Sequence, residues 1–268
     1  MSFPYMIDTH CHLDSHAFEH DIDDVVQRAF SYHVKKIIIP GADIRTLPRA
    51  REIAHAYEGV YFAVGVHPND IALYDRNTLE EYAKDEKCIA IGECGLDYYR
   101  LAESAESLAP KDSVAEIKAR QKEIFIAQIE LALSLNKPLI VHIREASNDS
   151  FEILERFKNA RGVLHCYNAD RILLGLSERF YYGIGGVCTF KNARRLIEVL
   201  PLIPKERLVL ETDAPYLTPH PHRGTRNEPY YIPLIMRQIA NVLGMSEEEI
   251  IATSTRNAEN LFQPLKEF

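Results

Sequence analysis

The sequence holds no C-x-x-C pair, no low-complexity tract, no short repeat and no apolar run near the roughly 18 residues that a membrane span needs. Those absences speak against a thiol redox motif, a repeat array and an integral membrane protein. The stretch "MSFPYMIDTH" lacks a basic region followed by an apolar one, so no signal peptide is expected. Five cysteines, Cys11, Cys88, Cys94, Cys166 and Cys188, are an odd count. Cys88, Cys166 and Cys188 lie in or beside apolar runs and read as buried free thiols, which predicts a reducing, cytoplasmic setting. Positive charge is in deficit too, with a formal net charge of −8. That argues against broad nucleic-acid binding through a basic surface, but leaves room for a local site where metals and a few arginines meet phosphate.

What the sequence does have is an alternation. At 268 residues, 46% hydrophobic and 26% charged, it has the composition of a soluble globular protein with a sizeable core. Eight apolar runs recur: "YMIDTH", "KKIIIPG", "VYFAVGVHP", "CIAIGECG", "PLIVHI", "GVLHCY", "FYYGIGG" and "RLVLETD". Between them lie stretches of helical periodicity such as 21–33, 45–57, 117–136 and 192–200, the first with Asp21 or Asp23 as a cap and the long one stopped at Asn136-Lys137-Pro138. Runs rich in Ile and Val that are apolar on both faces suit a parallel sheet covered by helices. Eight strand–helix units predict an α/β fold, a (β/α)8 TIM-type barrel formed as one domain over residues 1–268. Residues 101–116, "LAESAESLAPKDSVAE", read as a loop insertion at the barrel mouth.

The barrel gives meaning to scattered polar residues. In "IDTHCHLD", His10 and His12 are two apart, so along an extended strand they face the same way. His10 and His12 follow the first run, Glu93 ends the fourth, His142 the fifth, His165 the sixth and Asp213 the eighth. In a barrel, those carboxyl ends meet around one mouth. A carboxylate buried at the end of an apolar strand costs several kcal/mol, of the order of its desolvation, unless something pairs with it. Four imidazoles and two carboxylates predict a mixed N/O site for divalent metal. Six ligands suit two ions about 3.5–4 Å apart. Glu93 is the expected bridge, with His10, His12 and Asp213 completing one ion and His142 and His165 the other.

Further blocks surround these residues: "DTHCHLD" (8–14), "GVHP" (65–68), "IGECGLDYYR" (91–100), "PLIVHIREA" (138–146), "HCYN" (165–168), "ETDAPYL" (211–217) and "RNEP" (226–229). On them the chain resembles the TatD family of metal-dependent deoxyribonucleases, within the wider amidohydrolase-like superfamily. The resemblance implies a metal-dependent barrel that hydrolyses phosphodiester bonds in DNA, with 3′-to-5′ exonuclease character on single strands or frayed ends. It implies the same six ligands, two divalent ions (Mg, Mn or Zn) and DNA as partner. The 101–116 segment is longer than the family pattern.

The expected chemistry is hydrolysis by a water activated between two ions, with Asp213 as general base and Glu93 as the shared ligand. Glu211, on the same strand face as Asp213, is a candidate to orient it. His67, at the end of the third run, is expected to contact phosphate rather than metal. Arg223, Arg226 and Asn227, after the eighth run, are candidates to grip a phosphate, and Tyr98 to line the groove or stack on a base, with Tyr99 and Arg100 beside it. The competing readings are a small-molecule amidohydrolase or esterase on the same binuclear site and a metal-holding scaffold without catalysis. A monomer is expected.

Overall fold

A computed structural model describes residues 5–99, 101 and 113–266. Eight parallel strands stand in chain order: β1 (Met6–Asp8), β2 (Val34–Ile39), β3 (Val60–Val64), β4 (Cys88–Asp97), β5 (Leu139–Arg144), β6 (Gly162–Leu164), β7 (Phe180–Ile184) and β8 (Leu208–Leu210). The helices among the described residues are α1 (Ile22–Ser31), α2 (Leu47–Ala56), α3 (Arg76–Tyr82), α4 (Val114–Ser134), α5 (Ser147–Arg156), α6 (Arg194–Val199), α7 (Ile232–Leu243) and α8 (Glu247–Leu261). This is the (β/α)8 TIM-type fold that the eight apolar runs predict.

Strand alternation divides the core in two. Ile37, Ile39, Phe62, Val141 and Leu210 pack outward in one cluster with Val25, Leu47, Ile129 and Ile239 of the helices. Their neighbours Ile38, Tyr61, Ala63, Ile140, Val163 and Val209 form a second cluster, the filled lumen of the barrel. Each such side chain contributes about 1.5–3 kcal/mol by leaving water. Ala258 and Leu261 of α8, with Phe262 and Leu265, join the lumen cluster and plug its floor. Buried Lys36 ends there too, its ammonium donating to the Leu265 carbonyl and to the Tyr5 hydroxyl at 3.0 Å.

The seam between β8 and β1 is made just beyond the strands. Thr9 N donates to the Leu210 carbonyl at 3.0 Å, Asp213 N to the His10 carbonyl at 2.9 Å and His12 N to the Ala214 carbonyl at 2.8 Å. Fully buried Asp8 ties the same seam, accepting from Thr212 N at 2.9 Å and Thr212 Oγ1 at 2.6 Å.

Two sequence expectations shift. Most of 101–116 lies outside the described residues, but its end is helical. Ser113 caps α4 in a capping box with Glu116, so the helix begins at Val114 rather than at 117. Asp21 does precede α1, yet its carboxylate makes no capping bond, because Arg226 holds it.

Candidate metal centre

The centre grows from an irregularity in β4. The β4–β5 register slips between Ile91 and Cys94, leaving one extra residue on β4. Such a bulge re-aims the side chain it carries, and here that side chain is Glu93. Gly92 permits it: its φ is +144° and an added Cβ would stand 2.4 Å from the Ile140 carbonyl oxygen. Glu93 is thereby buried, only 3% exposed, within reach of five imidazoles.

Its two oxygens face different partners. Oε2 lies 3.4 Å from His10 Nε2 and 3.8 Å from His12 Nε2. Oε1 lies 2.9 Å from His142 Nδ1, 3.6 Å from His67 Nε2 and 3.8 Å from His165 Nε2. Asp213 closes the Oε2 side, with Oδ1 3.4 Å from His12 Nε2 and 3.7 Å from His10 Nε2. Its backbone takes the left-handed region at φ 58°, which a short polar residue tolerates better than a branched one. The His10 and His12 Nε2 atoms approach to 3.2 Å, and the rings of His10 and His165 stack at 3.4 Å.

Imidazoles this close cannot all be protonated. Burial, then the neighbouring His165, lowers the pKa of His10. Burial opposes charge on Glu93 as well, but the surrounding histidines outweigh it and hold the carboxyl well below its usual range. The result is a set of buried lone pairs turned toward common points, which is what a divalent cation requires. Among the described residues, three donor sets have all their ligand atoms within 4.8 Å of one another: His10–Glu93–His165, His10–His12–Asp213 and His67–Asp97–His142. The residues therefore fit metal. The expected pairing of His142 with His165 does not recur as one three-donor set; each groups with other partners.

The sequence reading passed over Asp97. The signal was present, since Glu93 and Asp97 are four apart on β4 and share a face. Arg144 ends β5 close by, but its guanidinium lies over the Tyr99 ring at 3.9 Å. Glu211 turns out to address His165 rather than Asp213, with Oε1 3.1 Å from His165 Nδ1 and accepting from Cys166 N at 2.6 Å. Burial would depress His165, but Glu211 prevails and its pKa rises from 6.5 to about 10.

That shift has a sign. A proton bound more tightly in the folded state stabilises the metal-free protein fully below pH 6.5, and the gain is lost as pH rises to about 10. A cation must displace the same proton. Zinc affinity is therefore expected to rise with pH above 7. Calorimetric titration in buffers of different ionisation enthalpy would show the released proton; pH-independent affinity would contradict the assignment.

Several substrate candidates are otherwise engaged. Asn227 is fully buried, its amide donating to the carbonyls of Thr212 at 2.8 Å and Tyr216 at 2.6 Å, so it holds the turn that carries Asp213 and offers no surface to a phosphate. Arg226 is paired with Asp21 at 2.6 Å and Glu228 at 2.8 Å, which occupies the guanidinium expected on phosphate. Arg223 is exposed, bonded to the Thr218 carbonyl and laid over Phe190 at 4.0 Å. Tyr98 donates its hydroxyl to Asp149 at 2.5 Å and lines a 390 Å³ cleft with Glu145, Asp149 and Asp170, where Lys122 pairs with Asp149 at 2.8 Å and Lys118 lies over the Tyr98 ring at 4.3 Å. Its neighbour Tyr99 is 59% exposed, as is Tyr216 at 58%, with the Tyr216 ring edge-on to His12 at 5.8 Å. Arg100 lies outside the described residues. His67 stands at the centre, its Nδ1 accepting from Asn69 N at 3.1 Å, which leaves Nε2–H turned inward 3.6 Å from Glu93 Oε1.

Comparison with known proteins settles the lineage. The family model for TatD related DNase matches residues 7–263. The chain belongs to that family. Among its relatives, the metal-dependent hydrolase YabD of Bacillus subtilis is 39% identical over 96% of this chain and 99% of its own length. The 3′-5′ ssDNA/RNA exonuclease TatD of Escherichia coli is 36% identical over 96% and 98%. The crystal structure of the TatD homologue YjjV from E. coli superimposes with a TM-score of 0.83 at 28% identity, covering 96% of this chain and 98% of that one. The protein is a TatD-family metal-dependent hydrolase, and no helix among its described residues is long and apolar enough to cross a membrane.

Proposed function

We propose that this TatD-family enzyme is a deoxyribonuclease that removes nucleotides from the 3′ end of single-stranded or frayed DNA, using two divalent ions. The observation that carries the reading is the division of Glu93, one oxygen toward His10 and His12 and the other toward His142 and His165. A carboxylate placed so is suited to bridge two cations. Two such ions would supply positive charge for the phosphoryl oxygens and lower the pKa of water at the site.

The protein's own residues do the rest. Asp213 has its pKa depressed: burial raises it, but the hydrogen bond from His12 and the nearby imidazoles overcome burial. It is thus ionised and placed to take the proton of the attacking water, while also serving as a ligand. His67 is held neutral, its pKa pushed down to about 3 by burial and by His142. Its Nε2–H is free to donate to a non-bridging phosphate oxygen without carrying charge. Tyr99 and Tyr216 offer exposed faces for unpaired bases, which suits a single strand better than a duplex.

The test is digestion of 5′-labelled single-stranded DNA after chelation and add-back of magnesium, manganese or zinc, with His10→Ala alongside. Metal-restored shortening from the 3′ end, absent in the variant, is the expected result. DNA left intact with all three metals would end the nuclease reading and turn attention to small esters and amides on the same centre.

A further inference from the structure

We propose that Asp97 is the positioning residue of the metal centre: it does not ligate an ion but fixes the His142 ring from behind, so that Nδ1 is the nitrogen presented to Glu93. The inference rests on reading the Glu93 cluster as a metal site, and concerns a carboxylate that the proposed reaction does not otherwise use.

His142 stands between two carboxylates. Nδ1 lies 2.9 Å from Glu93 Oε1, and Nε2 lies 3.3 Å from Asp97 Oδ2. A neutral imidazole has one donor and one acceptor nitrogen. A partner that only accepts, as an ionised carboxylate does, claims the N–H. Glu93 accepts as well, so both ring nitrogens face a carboxylate; a cation between Nδ1 and Glu93 would take the Nδ1 position, and the proton that Asp97 holds is the one on Nε2. Without that partner either tautomer is open to the ring, and it is free to turn about its side-chain bonds.

Asp97 is itself held in place from several directions. It is 1% exposed. Its Oδ1 accepts from Tyr99 N at 2.9 Å. Its backbone N–H donates to Gln121 Oε1 at 3.1 Å, and its carbonyl accepts from Gln121 Nε2 at 3.1 Å. Gln121 is fully buried on α4 and also reaches the Pro68 carbonyl at 3.0 Å. A helix on the outer ring thus clamps the end of β4, which in turn orients a side chain of β5. The main chain follows the same line: Gly95 pairs with His142 and Asp97 with Arg144, and a Cβ on Gly95 would stand 2.0 Å from the His142 carbonyl oxygen.

The rival arrangement is also geometrically available. His67, Asp97 and His142 bring ligand atoms within 4.8 Å, so Asp97 could instead be a ligand of an ion in that set. In that set an ion would take the place of the Nε2 proton, while Nδ1 faces Glu93. The carboxylate oxygen free of the Tyr99 amide is the one on Nε2, which favours the hydrogen bond.

The two are separated by zinc binding to the chelated, metal-free protein, read by competition with a chromophoric chelator and by zinc content at saturation. Asp97→Asn is expected to weaken zinc about 10–100-fold while leaving the number of ions per chain unchanged. In a His142→Ala background the same substitution should change affinity less than about threefold, because the ring it orients is gone. Loss of one ion per chain, or a full effect persisting without His142, would overturn the proposal, as would wild-type affinity in Asp97→Asn. Wild-type protein labelled with nitrogen-15 histidine and loaded with cadmium-113 gives a second readout that needs no variant. Coupling of cadmium to His142 Nδ1 with a proton on Nε2 supports the assignment, and coupling to Nε2 refutes it. If wild-type protein binds neither zinc nor cadmium, it is the metal reading that fails, not the role of Asp97 within it.

Discussion

Glu93→Gln should abolish metal-restored hydrolysis, with a loss of at least about a thousandfold in kcat, while the chain stays folded. The substitution keeps the shape of the side chain and removes its charge. Four of the facing imidazole nitrogens lie 3.4–3.8 Å away and His142 Nδ1 lies at 2.9 Å, so the amide has room to sit where the carboxylate did. What changes is electrostatics. Glu93 is the one anion that both donor groups face, and a neutral amide cannot bridge two cations or balance their charge. Removing a single electrostatic contact from a buried reaction centre costs about 2.7–4 kcal/mol in other enzymes, and a shared ligand touches both halves at once. The measurement is single-turnover digestion of labelled DNA together with zinc content at saturation. Wild-type kcat in Glu93→Gln would remove the bridge from the mechanism. A thermal scan of the metal-free variant guards against trivial unfolding; some loss of stability is expected, because the depressed pKa of Glu93 means that its charge stabilises the folded state, and removing one partner from a buried cluster leaves the imidazoles uncompensated.

The second large effect lies outside the ring of ligands. Asn227→Ala should cost about 2–4 kcal/mol of stability and slow hydrolysis as well. Asn227 is buried, and its side chain satisfies two carbonyls and the Glu228 N–H at once. Truncation to alanine strands those groups in a dry pocket, where each unmade bond carries a penalty of about 1–3 kcal/mol. Two of the three partners, Thr212 and Tyr216, flank Asp213, so the carboxylate loses its support along with the fold. Melting temperature and kcat should fall together, with KM for DNA little changed. A rise in KM at unchanged melting temperature would return Asn227 to the substrate-binding role that the sequence suggests for it.

These expectations differ in how readable they are from sequence. The eight strands were legible because a parallel barrel strand is buried on both faces and so appears as an apolar run. The six candidate ligands were legible as a cluster because they cap those runs. Asp97 was overlooked because β4 continues past its apolar portion to Asp97, and a reading that ends the strand at Glu93 discards the alternation beyond it. Arg226 and Asn227 looked like phosphate ligands because an arginine beside an asparagine in a polar loop usually is unpartnered in sequence. An ion pair with Glu228, two residues from Arg226, was legible as the alternative, but the other partners are set by the fold: Asp21 is 205 residues from Arg226, and Thr212 is 15 from Asn227. Glu211 and His165 are likewise brought together only by the crossing from β6 to β8.

The seam that closes the barrel ties the assembly of the centre to the completion of the fold. His10 and His12 lie just past β1, and Asp213 just past β8. The bonds that shut the cylinder, Asp213 N to the His10 carbonyl and His12 N to the Ala214 carbonyl, are the same bonds that bring these three side chains together. Docking the last strand and gathering these three donors are therefore one event, and a fragment that ends before Asp213 has neither the closed seam nor the complete donor set.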